Sequence, residues 1–344
     1  MVRGSEKPLL RPAHGGLFCE AGGFYIDPKW PAVDRAVITH GHSDHARSGH
    51  GEYFCAEPGR ELVRRRVMAK KDDDPLVRGV AYGEQFELGE ARVSFHPAGH
   101  LLGSAQVRVE CDGQVWVVTG DYKRDEDPTC REFEPVPCDV LITEATFGLP
   151  VYRWQPTAEV VKEIYAWWQE NAAEGRTSVL FCYALGKAQR ILAELRHHTE
   201  EEVLVHGALV EFNGIYEAAG VPLVPTRYVT EMGRKADFKG RLVLAPPSAF
   251  GTPWMRRFKP CRTGFASGWM RIRGNRRRRG FDAGFALSDH IDWHDLLRTI
   301  EESGARRVLA THGDTSSLIR FLREEREIDA WDLADAFQAG GPYG

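Results

Sequence analysis

Apolar residues along this chain fall into short blocks with two different periods. Residues 17–26 (LFCEAGGFYI) and 33–38 (VDRAVI) read as short strands, and the second leads directly into the polar run Thr39–His45. The stretch after Ala46 contains a helix ending near Lys70. Residues 91–96, 105–111, 114–119 and 139–143 read as further strands, broken by Gly and Asp. The pattern changes near Pro150–Pro156. From Thr157 an amphipathic helix runs to about Ala173, with Thr157 as its N-cap. Strand SVLFCY, turn ALG, helix KAQRILAELRHH, strand VLVHG and helix LVEFNGIYEAAG follow. That alternation predicts a parallel sheet with covering helices. Strands then return at 283–287 and 306–312, with helix HDLLRTIEES between them and SLIRFLREERE after. The two ends resemble each other and the middle reads as inserted. There is no internal repeat and no long low-complexity segment.

Composition adds bounds. The chain has 344 residues, 42% hydrophobic and 27% charged, which suits one large domain or two of ordinary size. No apolar run reaches the ~20 residues that span a bilayer. The first residues lack the apolar core of a signal peptide, so a cytoplasmic location is expected. Seven cysteines form no C-x-x-C pair, which points to reduced thiols rather than cysteine-ligated zinc. Net charge is −4, but ten Arg or Lys and no acid lie between Arg256 and Arg279. Such a local field attracts polyanions even on an acidic protein.

The chemistry concentrates in THGHSDHARSGH at 39–50. His40, His42, Asp44 and His45 crowd imidazoles and a carboxylate that repel when protonated and build no core. Such neighbours suit a divalent cation, for which neutral imidazole and carboxylate are good ligands. His100, Asp121, Glu144, His290 and His312 also follow apolar strands, where loops of a sheet converge. Each alone is more simply a hydrogen-bonded loop residue; the ensemble is harder to explain so.

HGHSDH, AGHLLGSAQV and TGDYKRD resemble successive motifs of the metallo-β-lactamase fold, and Asp27 in FYIDP resembles its early strand-end Asp. TEATFG, FCYALGKAQR, LSDH and LATHGD are similar to the β-CASP nucleases of DNA and RNA. FALSDHIDW and the compact size look closest to the bacterial exonucleases associated with ATP-dependent DNA ligases. The resemblance covers residues ~15 to ~325. It implies a four-layer αββα metallo-β-lactamase sandwich from residues 1–149 and 286–344, with a β-CASP α/β insertion at 150–285 and the active site in the cleft between them. It implies one metal on His40, His42 and His100, a second on Asp44, His45 and His312, and Asp121 bridging both. Two cations about 3.5–4 Å apart suit phosphodiester hydrolysis, and either zinc or manganese fits this donor set. Asp27 would orient a ligand or nearby backbone. His290, Glu144 and Asp44 would be catalytic, with His290 protonating the leaving oxygen and Glu144 orienting it. His294 competes with His290 but falls within a helix.

The resemblance therefore implies a two-metal DNA exonuclease in DNA repair, associated with an ATP-dependent DNA ligase and a helicase. One departure matters: Artemis-type DNA nucleases lack the final His, whereas His312 is present, as in RNA-processing relatives. An RNA-processing ribonuclease is thus the main alternative. A small-molecule metallohydrolase and a non-catalytic nucleic-acid-binding subunit are the others. For nucleic-acid contacts, Gly186 and Lys187 open a helix whose N–H groups suit phosphate. Arg276 and Arg277, within the basic tract Arg271–Arg279, would track a backbone. Ser267, Trp269 and Tyr183 would meet an unpaired base.

Overall fold

The computed structural model describes residues 7–70, 74–233, 236–272 and 280–344. These form two compact units, one of Met1–Arg124, Cys130–Arg153 and His290–Gly344, the other of Asp125–Thr129 and Trp154–Asp289. The sequence reading puts the divisions at 149/150 and 285/286 and does not anticipate the short piece Asp125–Thr129. Arg276 and Arg277 lie outside the described residues.

The first unit opens with a six-stranded sheet in chain order: β1 (Leu10–Ala13), β2 (Gly16–Cys19), β3 (Phe24–Ile26), β4 (Arg35–Val37), β5 (Glu52–Ala56) and β6 (Val77–Val80). The block read as one strand at 17–26 is the hairpin β2–β3, because the chain reverses at Gly23, whose φ of 61° favours glycine. A second sheet takes β7 (Gln85–Leu88), β8 (Ala91–Pro97), β9 (Ala105–Cys111), β10 (Gln114–Val118) and β11 (Val140–Glu144). It is completed by β18 (Arg307–Thr311) and β19 (Asp329–Asp332) from the far end of the chain. Strands β10, β11, β18 and β19 run parallel, so their carboxyl ends share one edge.

Alternation along these strands builds the layers. Trp116, Val118, Ile142 and Leu309 face Phe24, Ile26, Val37 and Phe54 of the first sheet. Their neighbours Val117, Leu141 and Val308 point the other way, against Leu296, Ile300, Leu318 and Leu322 of two C-terminal helices. On the outer side of the first sheet, α1 (Arg60–Val67) covers Ala36, Tyr53 and Cys55 with Val63 and Val67. This is an αββα sandwich. Burying each such side chain contributes roughly 1.5–3 kcal/mol.

The second unit holds a six-stranded, all-parallel sheet, ordered β14 (Thr226–Tyr228), β13 (Val203–Val205), β15 (Leu242–Ala245), β12 (Thr177–Phe181), β16 (Cys261–Ala266), β17 (Ala283–Phe285). Helices α2 (Thr157–Ala173), α3 (Lys187–Leu195) and α4 (Gly207–Ala218) cover the face that carries Leu180, Val203 and Leu244. Val179, Phe181, Val243 and Phe265 pack on the opposite face against Phe238, Phe258 and Met270. Among the described residues no helix is long and apolar enough to cross a membrane.

Candidate metal centre

Strand β4 sets the first donors. After Val37, Ile38 N–H donates to Phe54 O and Thr39 O accepts from Ala105 N–H, pinning the chain between two strands. It then turns tightly, with the N–H groups of His45 and Ala46 both donating to His42 O at 3.2 and 2.9 Å. The turn gathers His40, His42 and His45. His42 Nδ1 lies 3.1 Å from His40 Nε2 and 3.1 Å from His100 Nε2. Asp121 Oδ2 is 3.5 Å from His40 Nε2 and 3.8 Å from His100 Nε2. One donor atom from each of these residues lies within 4.8 Å of all the others. Gly99 and Gly120, each immediately before a donor, have positive φ (70° and 56°) and no room for a side chain. A Cβ on Gly99 would sit 2.1 Å from Lys123 O, and one on Gly120 would sit 2.7 Å from Thr39 Cβ.

A second group lies beside the first. His45 Nε2 is 3.6 Å from Asp121 Oδ2 and 3.7 Å from Asp44 Oδ2, and its ring centroid is 6.0 Å from that of His312. Asp121 Oδ2 thus belongs to both groups. Asp44, 61% exposed at its side chain, and the exposed His312 leave this side open. A cavity of about 230 Å³ here is lined by Asp27, Lys29, Asp44, His45, Glu144 and His312 among others. Asp27 and His312 both hold left-handed backbone, with φ of 47° and 59°, an uncommon conformation for non-glycine residues that clusters at functional sites.

The surroundings direct lone pairs inward. Asp27 Oδ1 accepts from Thr39 N–H at 2.9 Å and Oδ2 from Thr39 Oγ1–H at 2.6 Å. His45 Nδ1 lies 2.7 Å from Asp27 Oδ2, so it donates there and Nε2 faces Asp121. With its proton on Asp27, Thr39 Oγ1 accepts from His40 Nδ1 at 3.1 Å, which turns the His40 Nε2 lone pair toward His42. These are the contacts that fix the tautomer of metal-binding imidazoles. Burial holds His40 well below its ordinary range, and repulsion from His45 adds to it. Burial also disfavours a charged His45, but Asp121 and Asp27 outweigh it and push its pKa up to about 10. Asp121 is buried, yet the imidazoles of His45, His290 and His40 hold its carboxyl well below the usual range. The His40–His42–His100 set, imidazole nitrogens converging on one ionised carboxylate oxygen of Asp121, fits a divalent cation, and at His45 a cation would take the place of the proton that Asp121 and Asp27 hold there.

The remaining pair differs in kind. Glu144 ends β11, and its register partner on β18 is Thr311, the residue before His312. Its side chain is 1% exposed. Oε1 accepts from Tyr122 N–H at 3.0 Å and Oε2 from Thr146 Oγ1–H at 2.5 Å. His290 Nδ1 lies 2.9 Å from both oxygens and 4.0 Å from Asp121 Oδ2. Asp121, Glu144 and His290 are close enough to hold a cation themselves. Tyr122 N–H and Thr146 Oγ1–H each take one lone pair of Glu144, however, and the lone pairs left face His290 Nδ1, which makes the carboxylate an acceptor that orients His290.

The expected nucleic-acid contacts are placed differently. Lys187 is only 3% exposed, and its Nζ meets Asp289 Oδ2 at 3.0 Å. Gly186 N–H donates to Gln189 Oε1 and Ala188 N–H to Tyr183 O, so protein acceptors take both groups at this helix start. Ser267 is buried at the end of β16 and Trp269 packs against the second unit's core. Tyr183 is 52% exposed, with Lys187 Nζ 5.0 Å from its ring centroid. His294 is exposed on its helix. His50 accepts from Val33 N–H, and His206 caps α4. Sequence reasoning missed Thr39 and Thr146, whose signal was their position one and two residues from His40 and Glu144.

No family model matches the chain. A curated relative named "Probable DNA ligase", from Opitutus terrae, is 33% identical over 322 residues, covering 93% of this chain and 30% of that protein. "Endoribonuclease YSH1" from Yarrowia lipolytica is 28% identical over 240 residues, covering 61% of this chain and 28% of that protein. The chain therefore spans less than a third of the length of either. A solved structure from Enterococcus faecalis, described as a protein of unknown function, superposes with a TM-score of 0.59 at 11% identity. That match covers 89% of this chain and 81% of the other, a likeness of fold.

Proposed function

The chain belongs to the β-CASP family of metallo-β-lactamase-fold nucleases, and from that premise we propose that it is a two-metal exonuclease hydrolysing phosphodiester bonds of DNA. The observation that carries the reading is the Glu144–His290 pair, 4.0 Å from Asp121. Metal binding alone requires no such pair, whereas a leaving oxygen requires a proton.

His40, His42 and His100 would hold one cation, Asp44, His45 and His312 a second, and Asp121 would serve both. When bound there, divalent cations would neutralise charge at a phosphodiester oxygen and lower the pKa of a water. Asp27 and Thr39 keep His45 and His40 in the tautomers that present Nε2. Water attacks phosphorus and releases a proton to solvent, the bond to the leaving sugar oxygen breaks, and His290 gives that oxygen a proton that it regains from solvent. Because Nδ1 is committed to Glu144, the transferred proton comes from Nε2.

DNA is favoured by the relative whose name is that of a DNA ligase. A strand-trimming activity beside a strand-joining one fits repair of ends and a working partnership with a ligase. The second reading, cleavage of RNA by the same residues, is favoured by His312 and by the relative named an endoribonuclease. End-labelled single- and double-stranded DNA and RNA, each incubated with Mn²⁺ and with Zn²⁺, separate the two. Stepwise shortening of DNA supports the proposal, and cleavage of RNA with DNA left intact replaces it by the second reading.

A further inference from the structure

Within the second unit, four charged side chains form a buried network. Lys187 and Arg190 lie one turn apart on α3 and so share a face. Lys187 Nζ meets Asp289 Oδ2 at 3.0 Å and Arg190 Nη1 lies 3.4 Å from Asp289 Oδ1. Arg190 Nε donates to Asp127 Oδ2 at 2.6 Å, and its Nη1 donates to the backbone oxygen of Ser288 at 3.2 Å. Asp127 Oδ1 in turn accepts from Thr129 N–H and Oγ1–H at 2.9 and 2.7 Å. The four side chains are between 1% and 4% exposed.

Two cations and two carboxylates cancel in charge, but burying them contributes little net stability compared with apolar packing. What they fix is geometry. Asp289 and Ser288 are the residues immediately before His290, and Asp127 lies on the segment that leaves Asp121. We propose that Lys187 and Arg190, through Asp289 and Asp127, are positioning residues for the proton donor. They clamp the chain where it enters His290, and Lys187 serves this clamp rather than a phosphate. The proposal rests on the nuclease reading of His290.

The test uses the full chain in three forms: Lys187→Met, Asp289→Asn, and the double variant Lys187→Met/Asp289→Leu. Asp289→Asn leaves the buried Lys187 ammonium without its carboxylate and Lys187→Met leaves Asp289 to Arg190 alone, whereas the double variant removes both charges and keeps the test open should a single variant fail to fold. At equal metal content, displaced positioning lowers kcat on the order of tenfold to a hundredfold with little change in KM. The salt dependence of DNA binding stays that of wild type, and the double variant, which lacks both halves of the ion pair, keeps the loss in kcat. If Lys187 contacts phosphate, Lys187→Met instead raises KM and reduces the salt slope by about one, with kcat kept. That result, or a wild-type kcat in folded variants of lowered melting temperature, overturns the proposal while leaving the nuclease reading intact. A wild-type protein that cleaves no nucleic acid removes the reading itself.

Discussion

His290 Nδ1 sits 2.9 Å from both carboxylate oxygens of Glu144, although the two residues are 146 positions apart. The carboxylate is itself held by Tyr122 N–H and Thr146 Oγ1–H, so the imidazole is set by a fixed acceptor. This arrangement predicts that metal binding and proton donation separate by mutation. His290→Ala retains its metal, measured by elemental analysis, and loses roughly 10²–10⁴-fold in kcat. Glu144→Gln also retains metal and falls less far, because the imidazole stays but its acceptor no longer carries charge.

Asp121 behaves in the opposite way. Its Oδ2 serves both donor groups, so Asp121→Asn loses metal and activity together. Elemental analysis after desalting shows near-complete metal loss. Retention of one full equivalent would mean that the two groups are independent.

Asp27 acts through His45. Truncating it in Asp27→Ala leaves His45 without the acceptor that fixes its tautomer. Affinity at the second group falls by about 10–100-fold, read by titration with a competing chelator, while the His40–His42–His100 group binds as before.

The pH dependence follows from the raised pKa of His45. In chelated protein this imidazole titrates near 10 instead of its ordinary 6.5. A raised folded-state pKa means that the folded form holds the proton more tightly. The resulting stability is complete below the ordinary value and is lost as pH rises through about 10. A cation on Nε2 must displace that proton, so its binding strengthens over the same window. The gap in melting temperature between metal-loaded and chelated protein therefore widens as pH rises. A gap independent of pH contradicts the assignment of His45 as a ligand.

Much of the site was legible because its residues follow runs of apolar strand. Asp121 and His312 come just after VWVV and RVLAT, and Glu144 closes VLITE, at the edge where parallel strands end together. Helix α2 was legible over its length from its period, but its N-cap is Pro156, with no side-chain cap, and Thr157 is the first helical residue rather than the cap. Short strands with no clear alternation were not. β6 buries no residue fully and exists because β5 pairs with it, and β5 itself was hidden beside the helix that follows. The burial of Lys187 was also invisible. A lysine at a helix start reads as a charge facing solvent, and its partner Asp289 arrives from a distant loop.

The most direct test compares wild-type protein and His290→Ala on end-labelled DNA, both loaded with the same divalent metal and matched in metal content. The account predicts stepwise shortening by the wild type and a rate at least about 10²-fold lower for the variant. Equal rates at equal metal content, or a wild type that leaves every phosphodiester intact with either metal, would contradict it.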